Sequence, residues 1–187
     1  MRVYTGKGDA GTTDLLGGRV EKNDPRIEAI GALDEASSAI GFARASAATE
    51  RTRALLIEAQ RDLYKIMAEL AYTSEQWPAR VEVGADRVAW LERETDGLTA
   101  EVPPPRAFVI PGDSLPGAAL DVARTVARRA ERETVAIAAG GFVANPEVLR
   151  YLNRLSSLLF ALARFEDHAA GAAPLLAKSG KPAPPVG

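Results

Sequence analysis

The chain has 187 residues, enough for one domain with a proper core, and its 47% hydrophobic content with only 6% aromatic residues favours packed helices over sheet. A formal net charge of -2 argues against nucleic-acid or polybasic membrane partners, and zero cysteines exclude a disulfide framework and thiol chemistry. The single histidine, His168, is too little for a protein-built zinc site, no apolar run approaches membrane-spanning length, and the polar N-terminus is unlike a signal peptide, so a cytoplasmic protein is expected.

The first segment, Val3-Tyr4-Thr5-Gly6-Lys7-Gly8-Asp9-Ala10-Gly11-Thr12-Thr13, holds three glycines, three threonines, one lysine and one aspartate. It has almost nothing apolar to bury, so folding alone returns too little to offset the entropy of ordering it. It does offer backbone N–H groups able to curl around an anion, hydroxyls for phosphate, and an ammonium. The Gly-x-x-x-x-Gly-Lys-Ser/Thr spacing of a P-loop is absent. The alternative is a plain frayed, polar terminus. Residues 1–24 are therefore expected to form a nucleotide-binding loop, mobile before about Lys22 without nucleotide and ordered with MgATP.

Helical signals follow. Asp24-Pro25 places a cap before a proline at the first helical position and opens a helix to about Ala47, with Ile27, Ile30, Leu33 and Ile40 on its apolar stripe. A second helix is expected from about Glu50 to Tyr72. A third begins near Ala85 and is expected to stop at the Asp96-Gly97 turn signal. Pro103-Pro104-Pro105 then forces an extended stretch through Phe108-Val109-Ile110-Pro111-Gly112. A fourth helix is expected from about Leu115 to Ala139. Asn145-Pro146-Glu147 repeats the cap-proline start for a fifth, ending near His168. Residues 25–170 thus read as a helical bundle, and residues 171–187, rich in Pro, Gly and Lys towards the end, as a disordered tail.

Two features interrupt the amphipathic pattern. Arg124, Arg128 and Arg132 stand four residues apart and form one cationic ridge, flanked by Arg129 and Glu131. A solvated face would explain the ridge. Crowded arginines nevertheless repel unless anions meet them; the internal candidates are Asp34 and Glu35, the external one a polyphosphate. In the fifth helix Asn153 lies among leucines and is expected in the core, where an amide needs either a neighbouring helix or a ligand as partner.

Six blocks, in order, carry a resemblance. They are Tyr4-Thr5 with Gly8-Asp9-Ala10-Gly11-Thr12-Thr13; Lys22-Asn23-Asp24-Pro25-Arg26; Gly31-Ala32-Leu33-Asp34-Glu35; Phe108-Val109-Ile110-Pro111-Gly112; Ala123-Arg124 through Glu131-Arg132; and Asn145-Pro146-Glu147 through Leu155-Ser156. From Met1 to about Arg164 the chain resembles the propanediol-utilisation type of ATP:cob(I)alamin adenosyltransferase. The resemblance implies an all-α, five-helix bundle with ferritin-like up-down packing, assembled as a homotrimer with active sites between subunits. It implies that cobalt(I) of a reduced corrinoid attacks the ribose 5′-carbon of ATP, forming adenosylcobalamin and releasing triphosphate. Magnesium would travel with the ATP phosphates rather than on protein side chains. A corrinoid reductase and an adenosylcobalamin-dependent enzyme are the further partners implied.

Roles follow by position. Thr5, Gly6, Gly8, Gly11, Thr12 and Thr13 match the loop that wraps the nucleotide, with Lys7 beside them. Lys22 matches a lysine contacting ATP. Arg128 matches an arginine reaching the triphosphate, and Glu131, Arg132 and Asn153 join the nucleotide site. Asp34 and Arg124 match an ion pair between subunits. Phe108 matches an aromatic beneath the corrin that displaces the lower axial ligand, which makes cobalt(II) easier to reduce. Ser157 stands where aspartate is common, and Asp113 where glycine is common. The competing interpretation is a non-catalytic ATP- or corrinoid-binding helical bundle. An unrelated phosphotransferase would need a base near the phosphates, for which Asp9 is the obvious nominee.

Overall fold

The computed structural model describes residues 4–16, 18–72 and 83–178. Two short strands, β1 (Thr12–Leu15) and β2 (Gly18–Glu21), precede five helices: α1 (Pro25–Ser46), α2 (Glu50–Ala71), α3 (Ala85–Glu101), α4 (Leu115–Ala139) and α5 (Pro146–Ala169). The helix starts lie where capping chemistry puts them. Asp24 accepts from Arg26 N, Thr49 from Thr52 N, Ser114 from Gly117 N and Asn145 from Glu147 N, each satisfying an otherwise orphaned first-turn amide.

α4 packs between α1 and α5, α2 lies against α1, and α3 lies against α5. Arg26 stacks over the Phe142 ring, which sets the start of α1 beside the exit of α4, and Leu16 bridges Tyr72 at the exit of α2. Asn145 Nδ2 donates to Val83 O, tying the starts of α3 and α5 to that same end. At the opposite end Glu166 accepts from Ala48 N and Thr49 N, and Ser114 Oγ donates to Asp167. The helices therefore run up and down around a core that includes Leu33, Ile40, Leu56, Leu63, Leu120 and Leu155, all fully buried. Inside it, Asp62 accepts from Arg87 Nε at 2.7 Å and from the buried Tyr151 hydroxyl at 3.1 Å, joining α2, α3 and α5. Burial, reinforced by the neighbouring Asp62 charge, pushes the Tyr151 hydroxyl well above its ordinary value.

Two expectations are corrected. α3 does not stop at Asp96-Gly97 but runs to Glu101, because the next turn buries Leu98. Gly97 is kept inside the helix where Arg51 comes within 3.3 Å of the place a Cβ would occupy. In the N-terminal segment β1 and β2 form an antiparallel hairpin, Thr12 facing Glu21 and Asp14 facing Arg19. The tail expected to be disordered from residue 171 is bonded over its described part, since Leu176 pairs with Val109. Residues 179–187 lie outside the described residues. Among the described residues no helix is long and apolar enough to cross a membrane.

Candidate functional site

The glycine-rich segment folds as two tight turns and the hairpin. Asp9 N donates to Gly6 O, Gly11 N to Gly8 O, and Lys22 N to Gly11 O at 2.8 Å. Gly6 and Gly11 have φ of 72° and 85°, values that glycine adopts without steric cost. At Gly8 the constraint is space: a Cβ would sit 3.2 Å from both Lys22 Nζ and Thr12 O. The fold thus brings Gly8, Gly11, Thr12 and Lys22 together. Thr5 accepts from Lys7 N at 3.4 Å, and Thr13 continues β1.

Arg19, which the motifs do not single out, fastens this unit. One of its nitrogens donates to Lys7 O and to Thr12 Oγ1, each at 2.6 Å, and another to Asp14 at 3.1 Å. The signal was present in the sequence as the opposite charges of Asp14 and Arg19, which pair only once the hairpin register is known.

The arginine ridge divides into differently held members. Arg124 Nε donates to Asp121 at 2.8 Å, Arg129 pairs with Glu35, and Arg132 donates to Arg128 O. Arg128 stands exposed on α4, and its guanidinium meets no acid among the described residues. Glu131 accepts from Asn153 Nδ2 at 3.0 Å. Asn153 is exposed, which corrects its expected core placement: the α5 stripe buries Leu152 and Leu155, and residue 153 falls just outside it. Asp34 is exposed and has no ion pair among the described residues, so a single chain does not join it to Arg124.

A groove of about 290 Å³ opens over the ridge, lined by Thr99, Arg124, Arg128, Ser156, Ser157 and Phe160 among others. It shares Arg124 and Phe160 with a cleft of about 430 Å³ that also takes in Arg106, Phe108, Val109 and Asp121. Phe108 is 85% exposed, so it is no core residue. The ridge and the Phe108 stretch therefore border neighbouring hollows that share Arg124 and Phe160. The hairpin, at the opposite end of the bundle, makes no hydrogen bond or ion pair with Arg124, Arg128, Glu131 or Asn153 among the described residues.

Beneath the cleft lies an ion cluster that the motifs did not reveal. Arg164, 4% exposed, donates to Asp121 at 2.7 Å and lies 3.0 Å from Asp167 and 3.5 Å from Asp113. Asp113, the departure noted in the sequence, is thereby one of its members. Burial raises the Asp167 carboxyl above its ordinary value despite the opposing Ser114 hydroxyl and Arg164 guanidinium. At the hairpin's exit the Arg26 side-chain hydrogen bonds hold Asp24 below its ordinary value. Among the described residues no group of three or more His, Cys, Asp or Glu side chains could hold a metal ion.

Residues 3–166 match the family model for cobalamin adenosyltransferase. The corrinoid adenosyltransferase PduO of Citrobacter freundii is 44% identical over 90% of this chain, and that of Salmonella typhimurium 42% identical over 97%. The chain spans about half the length of these two relatives, 50% and 54%. Among solved structures, a variant PduO-type ATP:corrinoid adenosyltransferase from Lactobacillus reuteri complexed with cobalamin and ATP superposes with a TM-score of 0.86 at 32% identity, covering 95% of this chain and all of that one.

Proposed function

The chain belongs to the cobalamin adenosyltransferase family, and from that premise we propose that it is a transferase moving the 5′-deoxyadenosyl group of ATP to cobalt(I) of a corrinoid. In that reaction the cobalt lone pair forms the cobalt–carbon bond at the ribose 5′-carbon, the C5′–O bond breaks, and triphosphate departs with the electron pair. Cobalt(I) is itself the nucleophile, so no general base is required, in keeping with a groove lined by arginines and hydroxyls. The charge that grows on the leaving triphosphate is what the Gly6–Thr13 turns, Lys22 and Arg128 would stabilise, acting as preorganised donors. Magnesium would enter with the ATP, on its phosphates.

The observation that carries the corrinoid half is Phe108. A purely ATP-binding bundle has no use for a phenylalanine held 85% exposed over a cleft that shares Arg124 and Phe160 with the arginine groove. We assign the complete site to a boundary between subunits of a homotrimer, because the hairpin and the arginine groove of one chain lie apart while Asp34 and Arg128 stand exposed with no ion pair among the described residues. The hairpin would order further on MgATP. ATP as substrate favours a cytoplasmic reaction, supplied by a corrinoid reductase and drained by an adenosylcobalamin-dependent enzyme.

One assay decides the matter: protein, MgATP and chemically reduced cobalamin should yield adenosylcobalamin and triphosphate in equal amounts. ADP in place of triphosphate would point to phosphoryl transfer with Asp9 as the candidate base. ATP binding without turnover would leave a non-catalytic bundle.

A further inference from the structure

The Phe108 ring has little packing to fix it, so its position must come from its backbone. That backbone is held by the segment after α5. Ile110 N donates to Leu175 O at 2.7 Å and Ala177 N to Phe108 O at 2.8 Å, two bonds that bracket the antiparallel Val109–Leu176 pair. Asp113 closes the end of this short ladder, accepting from Leu175 N at 3.3 Å, and its carboxylate lies 3.5 Å from the buried Arg164 guanidinium. Arg164 in turn donates to Asp121, which receives Arg124 Nε at 2.8 Å. A continuous run of polar contacts therefore leads from the C-terminal segment to the arginine that borders both the cleft and the groove.

Without these bonds the stretch would be free to pivot. Pro103-Pro104-Pro105 is extended on one side, and on the other Gly112 has a φ of 122°, outside the range side-chain-bearing residues favour. A ring that has to fill one face of a flat macrocycle needs its support defined to a fraction of an ångström. We propose that Asp113 and the Leu175–Ala177 segment form a latch, anchored on Arg164, that positions Phe108 against the lower face of the corrinoid, building on the activity inferred above. Asp113 is a positioning residue: it touches the latch and its anchor, not the reacting atoms. Glycine at this place, which the resemblance makes common, would carry no such carboxylate.

Two variants break the latch from opposite sides. Asp113→Gly removes the acceptor, and Leu175→Pro removes only the N–H that it accepts while leaving the Leu175 carbonyl in place. In hydrogen exchange without any corrinoid, the Ile110 and Ala177 amides should exchange about tenfold faster in both variants. Unchanged protection would overturn the latch. In turnover, each variant should lose about tenfold when the reaction starts from cobalt(II) with a reductant, yet stay within about twofold when it starts from pre-reduced cobalt(I). Asp113→Asn, which still accepts from Leu175, should recover part of the loss, and the double variant should lose no more than either single one. Equal losses in both assays, or none in either, would overturn the positioning role. If the unmodified protein makes no adenosylcobalamin at all, the proposed activity fails, while the exchange experiment still decides whether the latch exists.

Discussion

Arg128 is the ridge residue whose surroundings supply least. Arg124 is oriented by Asp121 and Arg129 is neutralised by Glu35, whereas Arg128 presents a fork above the groove that is unpaired among the described residues. Three guanidiniums at four-residue intervals repel one another, so the unpaired one gains most when a polyanion arrives. Arg128→Ala should therefore lower kcat/KM for ATP by about 10- to 100-fold, the equivalent of one charge-assisted hydrogen bond worth roughly 1.5–3 kcal/mol. Arg128→Lys keeps the charge but loses the fork, so it should recover only part. Steady-state kinetics with ATP titration checks this, and unaltered constants would return Arg128 to a merely solvated face. The ridge was legible because four-residue spacing is geometry that any helix imposes. Asn153 was misplaced because the density of leucines around it says nothing about its angular position, which lies one residue past the buried stripe. Arg164 was invisible for the opposite reason: a single arginine inside an apolar run identifies no partners, and its three acids lie 51, 43 and 3 residues away in the chain, at Asp113, Asp121 and Asp167.

At the scale of elements, starts were more legible than stops. A cap followed by proline fixes a helix's first turn through purely local bonds, as at Asp24-Pro25 and Asn145-Pro146. A stop depends on what the next turn would bury, and Leu98 outweighed the Asp96-Gly97 signal. The α1–α2 turn shows a start secured from far away. Glu166, fully buried on α5, accepts from Ala48 N at 2.8 Å, Thr49 N at 3.1 Å and Thr49 Oγ1 at 2.6 Å, and so holds the connecting turn and the Thr49 cap of α2 from across the bundle. Burial pushes its carboxyl up, but the threonine hydroxyls and the two amides pull it further down, leaving it below the ordinary 4.5. A carboxyl depressed by folding stabilises the fold fully above its unfolded value and loses that contribution as pH falls through the folded one. Glu166→Gln should thus cost about 1–3 kcal/mol near neutral pH, and the cost should shrink as the medium is acidified below the ordinary carboxylate range. Thermal melts of both proteins across that range test it. A pH-independent difference would mean that Glu166 acts through shape rather than charge.

For the whole molecule, the parts of the candidate site could be named from the sequence but their distribution could not. Glycines, arginines and Phe108 could each be named from local pattern, yet only the fold puts the hairpin at one end of the bundle and the Phe108 cleft at the other. On the proposed reading, one chain holds two half-sites and a second subunit joins them. Asp34 and Arg124 make this testable. Asp121 occupies only Nε of Arg124, which leaves the rest of the guanidinium for another acceptor, and Asp34 waits exposed on α1 without an ion pair among the described residues. If the two meet across a subunit boundary, Asp34→Ala and Arg124→Ala should each depress adenosylation, and a double-mutant cycle should give a coupling of about 0.5–3 kcal/mol. Mixing the two singly altered proteins, unfolded together and reassembled, sharpens the test. Some mixed assemblies then bring an intact Asp34 from one subunit against an intact Arg124 from the next, and activity should exceed that of either parent. Additive losses in the cycle, together with no recovery on mixing, would show that the two residues act within one chain or not together at all.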